Sequence, residues 1–440
     1  MFAEAYRQKL MSSEAAAGLI RSGDGVIVPL ANGQPPALIN ALAKRILADE
    51  VQDVNYISAL DVRFLDIHNQ EACGKAEMET LYAGPISRYF VQQGQFAYTP
   101  HRLWEGPDIA GNCRDASVYM MTVSPMDKNG FFSTGTNPDY IWGMTRESMK
   151  HRECRILLEV NRHMPRTCGN NQFHISEVTA VVEADTPLVC LPDIPVTAED
   201  EAIGRYIAEQ VPDGACLQLG IGGIPNAVAR FLEDKRDLGI HSEMLCDSML
   251  DLFRKGVITC RQKSFNPYKW IGSFVLGSQE LYDFVADNLL IEMHSSKYVN
   301  DPYCIGLNDN MIAINSTLEV DLTGQCASEA IGTQQYSGTG GQVDFVEGAW
   351  RSNGGKAFLA LYATYTDKEG RLHSKIKPTL SPGSMVTTTR NDVQYVVTEF
   401  GIAYLKGQNM RRRIEELIRI AHPDFRDELR FEAKKLRYLP

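Results

Sequence analysis

The feature that most narrows what this chain can fold into is a repeat within it. Residues 24–42, DGVIVPLANGQPPALINAL, align without a gap on residues 213–231, DGACLQLGIGGIPNAVARF, at an offset of 213 − 24 = 189. Both copies open with Asp-Gly, both carry a glycine nine residues after that aspartate (Gly33 and Gly222), and both carry a proline twelve after it (Pro36 and Pro225). Each copy reads as a turn, a short apolar strand, a glycine loop and a helix that begins near proline, where a missing N–H does no harm. A helical stretch precedes each copy, Ser13 to Arg21 and Ala198 to Gln210. Turns of this composition match by chance often enough, but the identical spacing and the paired flanking helices favour a true repeat.

The rest of the chain alternates in the same way. Apolar runs predict strands at Val54 to Ala59, Ala116 to Val123, Arg155 to Val160, Val178 to Val182, Lys356 to Leu361 and Gln394 to Val397, and helical periodicity marks Pro36 to Leu47, Pro225 to Lys235 and Arg411 to Ala421. The fold class is therefore α/β: two tandem related α/β domains with largely parallel sheets, residues 1–190 and 191–440. The seam falls in LPDIPVTAED, residues 191–200, with its two prolines and acidic turn. Length agrees: two copies of 189 residues account for 378 of the 440, leaving 62 for the N-terminal lead and the C-terminal helices.

Composition removes several classes of function. A formal net charge of −11 argues against a chain-wide nucleic-acid surface, which clustered cations would have to supply. The one basic cluster, Arg411-Arg412-Arg413, stands beside Glu415 and Glu416 and reads as a solvated helix face. No apolar run approaches the roughly 18 to 20 residues that span a bilayer, and the N-terminus does not read as a secretory signal, so a cytoplasmic enzyme with no membrane partner is expected. The ten cysteines lie singly, with no C-x-x-C pair, as suits reduced and mostly buried thiols and no zinc site.

Three segments carry candidate chemistry. Leu217-Gln218-Leu219-Gly220-Ile221-Gly222-Gly223-Ile224-Pro225 follows a strand and opens a helix, where backbone N–H groups and the helix dipole favour an anion. It fits neither G-x-G-x-x-G nor the G-K-[ST] of a P-loop, so nicotinamide and ATP chemistry lose support. Ser337-Gly338-Thr339-Gly340-Gly341 packs three glycines into four residues, which lets N–H groups converge on a ligand or an oxyanion; a plain surface loop is the alternative. Glu243, in Gly239-Ile240-His241-Ser242-Glu243-Met244, falls at or near the end of the next strand, on the sheet edge of the first loop. His241 and Glu243 could mimic part of a metal site, but no third ligand stands at a supporting spacing and H-E-x-x-H is absent, so no metal is expected. The G-x-S-x-G of lipases is missing too.

Together these segments resemble the acetyl-CoA hydrolase/transferase family, the family I CoA-transferases, and most closely its 4-hydroxybutyrate CoA-transferase branch. The matching strings are LQLGIGGIPNAV (217–228), GIHSEM (239–244), VNDP (299–302), NDNMIAINS (308–316), SGTGGQVDFVEGA (337–349), TTTRNDVQYVVTEFGIAYLKG (387–407) and AHPDFR (421–426). The resemblance spans essentially the whole chain and implies a NagB/RpiA-like CoA-transferase fold with the active site formed between two α/β halves. It implies ping-pong transfer of coenzyme A between carboxylic acids, with Glu243 as the covalent nucleophile, first as a mixed anhydride and then as a glutamyl-CoA thioester. CoA would lie against Gly220, Ile221, Gly222, Gly223 and Ile224, with thioester oxygens near Gly340 and Gly341, and Asn315 and Lys368 as further CoA contacts. CoA and acyl-CoA are then substrates with no permanently bound cofactor, the partner molecules are acyl-CoA and a small carboxylic acid, and a homodimer or higher homo-oligomer is expected. Acyl-CoA hydrolysis on the same scaffold is the alternative activity, and a catalytically silent acyl-CoA-binding protein a third. Two departures bear on the substrate. The family's E-M-x-x-D-G here ends in Ser248, and its G-E-P becomes Gly33-Gln34-Pro35-Pro36, which leaves acetate, butyrate, 4-hydroxybutyrate, succinate and itaconate open as the acid.

Overall fold

The computed structural model describes residues 2–113, 116–192 and 194–440. Contacts divide the chain into two units, one of Met1–Pro192 with Glu243–Leu245 and Ile271–Asn300, the other of Asp193–Ser242, Cys246–Trp270 and Asp301–Pro440. Both are α/β with mostly parallel strands.

In the first unit seven strands form one sheet, in the order Ala180–Ala184, Arg155–Asn161, Ala116–Val123, Gly25–Leu30, Asn55–Ala59, Glu77–Thr80 and Ala97–Tyr98, with every neighbouring pair parallel. Gly25–Leu30 is buried along its whole length, as a continuous apolar run in a sheet covered on both faces must be. The helix Pro36–Leu47 adds Leu38, Ile39, Leu42, Ala43 and Ile46 to the same core. In the second unit the order is Gly401–Tyr404, Tyr395–Thr398, Lys356–Ala360, Met311–Ser316 and Cys216–Gln218, followed by the start of Gly239–Leu245; only the outermost pair is antiparallel.

Each copy of the repeat supplies the strand at which chain order reverses. Gly25–Leu30 has Asn55–Ala59 on one side and Ala116–Val123 on the other; Cys216–Gln218 has the strand that starts at Gly239 on one side and Met311–Ser316 on the other. Open parallel sheets hold ligands off the carboxyl ends of their strands at such a reversal.

Past the strand the two copies part. In the first, Ala31–Gly33 makes a short 3-10 turn and Pro36 is the first helical residue. Gly33 is there for want of space, since a Cβ would stand 2.6 Å from Asn137 Cβ. In the second, the helix already starts at Gly223, two residues before Pro225. What fills the helix N-terminus differs more. In the first unit the buried Glu159, from the strand Arg155–Asn161, accepts the N–H groups of Ala37 at 2.9 Å and Leu38 at 3.1 Å. Burial pushes its carboxyl up to about 7 in spite of those two bonds. In the second unit the N-cap is Gly222, which has no side chain to offer.

The basic cluster corrects one sequence reading. Arg411 and Arg412 are exposed, but Arg413 is buried, and its guanidinium donates to the carbonyls of Thr323 (2.9 Å), Leu405 (2.9 Å) and Arg390 (2.8 Å). On the helix Met410–Ile420 the residues Arg413, Ile414, Leu417 and Ile418 form the inward face, so helical phase, not local charge density, decided this arginine's place. Of the cysteines, Cys216, Cys246, Cys260 and Cys326 are buried, whereas Cys190 is exposed.

A folded-state carboxyl raised from its ordinary 4.5 to about 7 binds a proton that the unfolded chain has lost. Glu159 therefore makes stability fall as pH rises from about 4.5 to 7. Glu159→Gln keeps an acceptor for the two N–H groups and removes this term. The drop in unfolding free energy between pH 5 and pH 7, measured by urea denaturation, should shrink by on the order of 2 kcal/mol. Asp139, buried and raised to about 7 as well, retains part of the decline, and an unchanged drop in the variant would refute this account of Glu159.

Candidate active site

In the second unit the strand Cys216–Gln218 is followed by Leu219, Gly220, Ile221 and Gly222, which turn into the helix Gly223–Phe231. Gly222 has a φ of 118°, a conformation that side-chain-bearing residues rarely adopt. Gly223 is required by close approach, because a Cβ there would meet Asp200 Oδ2 at 2.2 Å. Asp200 is itself fixed: its carboxylate accepts the Thr197 N–H at 2.9 Å and the Tyr362 hydroxyl at 2.7 Å. Around Gly220 the space is open, with nothing within 4 Å of an added Cβ. Ile221, at the turn, is 45% exposed, whereas Ile224 is buried at 7%. The loop thus presents backbone and one apolar side chain, backed by a rigid helix.

Two buried glutamines tie the other predicted positions to this loop. Gln218 Oε1 accepts the Asn315 side-chain amide at 3.0 Å and the Ile314 N–H at 3.1 Å, so Asn315 is held at the carboxyl end of Met311–Ser316 directly beside the root of the loop. Gln342 donates to the Ser316 carbonyl at 2.7 Å and accepts from Ser328 Oγ at 2.8 Å and Thr388 Oγ1 at 3.0 Å. It is the first residue of the helix Gln342–Arg351, whose N-cap is Gly341, so Gly340 and Gly341 are anchored to the same strand end. Gly340 has a φ of 55°, and the preceding turn is pinned by the Glu329 carbonyl, which accepts the N–H groups of Tyr336 and Ser337 at 2.7 and 3.0 Å. Two helices therefore begin on glycine caps without a side-chain hydrogen bond, and each start carries about half a positive charge from its unsatisfied N–H groups. Lys368 is placed differently. It is exposed, in the turn between Thr364–Thr366 and Leu372–Ser374 that Asp367 holds by accepting the N–H groups of Glu369 and Arg371.

In the first unit, Glu243 is half-buried on the strand Gly239–Leu245 and its Oε2 accepts the Asn300 side-chain amide at 2.9 Å. Asn300 closes the short helix Ser296–Val299. The next two residues start another: Asp301 caps the helix Pro302–Gly306 through the Tyr303 N–H at 2.8 Å. That division of labour accounts for the V-N-D-P string, in which Asn300 carries no signal of its own before the fold is known. Gln218 and Gln342 were equally silent in the sequence, since their partners lie up to 97 residues away. His241 is fully buried, with Nδ1 3.3 Å from the Asn308 amide and its ring against Phe345; it is a core histidine. Among the described residues no group of three or more His, Cys, Asp or Glu is placed to hold a metal, and no helix is long and apolar enough to cross a membrane.

Residues 2–192 match the acetyl-CoA hydrolase/transferase N-terminal domain and residues 277–433 the C-terminal domain of the same family. The chain is 44% identical over 431 residues, 98% of its length and 96% of the relative's, to a succinyl-CoA:cyclohexane-1-carboxylate CoA transferase of Geobacter metallireducens. It is 41% identical to a 4-hydroxybutyrate coenzyme A transferase of Clostridium kluyveri over 98% of this chain and 99% of that one. The crystal structure of RipA from Yersinia pestis superposes with a TM-score of 0.92 at 36% identity, covering 100% of both chains.

The two central glycines should respond oppositely to alanine. Gly223→Ala drives a methyl into the fixed Asp200 carboxylate and is expected to lower unfolding free energy by about 1–3 kcal/mol. Gly220→Ala enters open space and should stay within about 0.5 kcal/mol of the parent. Chemical denaturation of both variants tests the pair, and equal losses would contradict the geometry.

Proposed function

The chain belongs to the acetyl-CoA hydrolase/transferase family and is a CoA-transferase, and from that premise we propose that it moves CoA between an acyl-CoA and a small carboxylic acid by a ping-pong mechanism through Glu243. The observation that carries the reading is a half-buried strand carboxylate oriented by the Asn300 amide. Its place in GIHSEM is the one to which the family resemblance gives the covalent nucleophile. The second support is a pair of uncapped helix starts, suited to an anion and to a developing oxyanion.

In the first half-reaction a Glu243 oxygen attacks the thioester carbonyl carbon. The C–S bond breaks, giving an acyl-glutamyl anhydride and CoA thiolate. The thiolate then attacks the glutamyl carbonyl carbon, a C–S bond forms, the anhydride C–O bond breaks, and the first acid leaves as its carboxylate. The second acid reverses both steps, attacking the glutamyl thioester and then losing the glutamate to returning thiolate, so Glu243 ends as it began. No proton and no electron is gained or lost. One carboxylate thioester replaces another at almost no cost in free energy, so the protein's tasks are orientation, oxyanion stabilisation and exclusion of water. Gly220 to Ile224 receive CoA in this reading, Gly340 and Gly341 lie at the thioester oxygen, Asn315 makes a further contact, and Lys368 reaches CoA from its hairpin.

Incubation with acetyl-CoA followed by hydroxylamine or borohydride should leave a trapped adduct on Glu243, located by mass spectrometry. CoA exchange without any adduct at residue 243 overturns the mechanism. Glu243→Ala should abolish exchange. Glu243→Asp should lose about 100-fold or more, because one methylene withdraws the attacking oxygen by about an ångström. Free CoA release is then compared with and without acetate, butyrate, 4-hydroxybutyrate, succinate, itaconate and cyclohexane-1-carboxylate. Transfer predicts acceptor-dependent acyl exchange, whereas release at the same rate in the absence of any acid identifies a hydrolase.

A further inference from the structure

We propose that Ser242 and Cys246 are positioning residues that set the direction of the glycine loop's amide groups for reaction at Glu243. The inference rests on the reading above and goes beyond it by naming the side chains that orient the loop.

The parallel ladder pairs Cys216 with Gly239 and Leu217 with Ile240, an offset of 23 residues. The same offset carries Leu219 to Ser242, and there the Ser242 hydroxyl donates to the Leu219 carbonyl at 3.3 Å. Where backbone pairing stops, a side chain continues it. One carbonyl further on, the Cys246 thiol donates to Gly220 O at 3.6 Å, with Ser248 Oγ 3.3 Å from the same sulfur. Both donors are shielded from water, Ser242 at 0% and Cys246 at 2% exposure. Burial pushes the thiol up to about 11, so at neutral pH it keeps the proton it donates. Ser242 and Cys246 stand one residue before and three residues after Glu243 in the chain.

A trans peptide points its C=O and N–H in opposite directions. Holding the Leu219 carbonyl toward Ser242 turns the Gly220 N–H away from it, and holding the Gly220 carbonyl toward Cys246 does the same for the Ile221 N–H. Among the described residues neither N–H donates to a backbone carbonyl, and the space at Gly220 is open. The two contacts therefore turn two amide donors away from the strand Gly239–Leu245. The Ser248 hydroxyl supplies the second partner of the thiol.

The test uses the full chain and its variants Ser242→Ala, Cys246→Ala and Cys246→Ser, mixed with acetyl-CoA and trapped at short times. The rate of adduct formation at residue 243 is expressed per trappable site, so that a loss of folded protein lowers the amount of adduct but not this rate. Ser242→Ala and Cys246→Ala are expected to slow it by on the order of five- to tenfold each, the scale of one hydrogen bond. Cys246→Ser, which retains a donor, should stay within about twofold of the parent. Parental rates in both alanine variants overturn the proposal, and so does a serine variant as slow as the alanine one. If Cys246→Ala does not fold, Ser242→Ala decides alone. A parent that exchanges CoA without ever carrying an adduct at residue 243 removes the glutamyl reading itself, an outcome distinct from unaffected variants of a parent that is labelled.

Discussion

An α-helix begins with N–H groups that its own turn cannot satisfy, and what meets them differs between the two halves of this chain. Both repeat copies bring a helix start to the strand where sheet order reverses. In the first unit, Glu159 occupies that start with a carboxylate of its own, bonded to Ala37 and Leu38. In the second, the cap is Gly222, and the neighbouring helix at Gln342 is capped by Gly341. The same topology thus yields a start bonded by a carboxylate in one place and two glycine-capped starts in the other, with Asp200 packed against Gly223 and Asp344 in the first turn after Gly341. Desolvating a carboxylate at the first end costs enough to raise its pKa to about 7.

Much of this was legible in the sequence because it rests on local rules. The 189-residue offset located both reversal strands, and the helix Pro36–Leu47 begins and ends where its periodicity and proline require. The aligned glycines show where that logic stops. Gly33 and Gly222 share a position in the repeat, yet one answers to a neighbour, Asn137, and the other to a backbone dihedral. Pro36 is the first residue of its helix, whereas Pro225 is the third. Arg413 escaped a charge-based reading because burial follows helical phase. Asn300, Gln218 and Gln342 escaped any reading, since an amide declares its role only when the fold brings its partner from 14 to 97 residues away.

Net charge says less about ligand sign than its size suggests. A 49.1 kDa chain exposes roughly 17,000 Å², so a net −11 amounts to one charge per roughly 1,500 Å², or a mean spacing of about 40 Å. The screening length at physiological ionic strength is about 8 Å. At that distance the average surface charge is lost and the nearest dipoles decide. The half-charges at Gly223 and Gln342 act within one turn of their helices, and they are held at one strand end by Gln218 and Gln342. An acidic protein can therefore accept an anionic thioester without a basic patch, provided that the loops stay where the glutamines hold them. Rigidity of neutral amides, rather than an excess of lysine or arginine, is the property on which such a site depends.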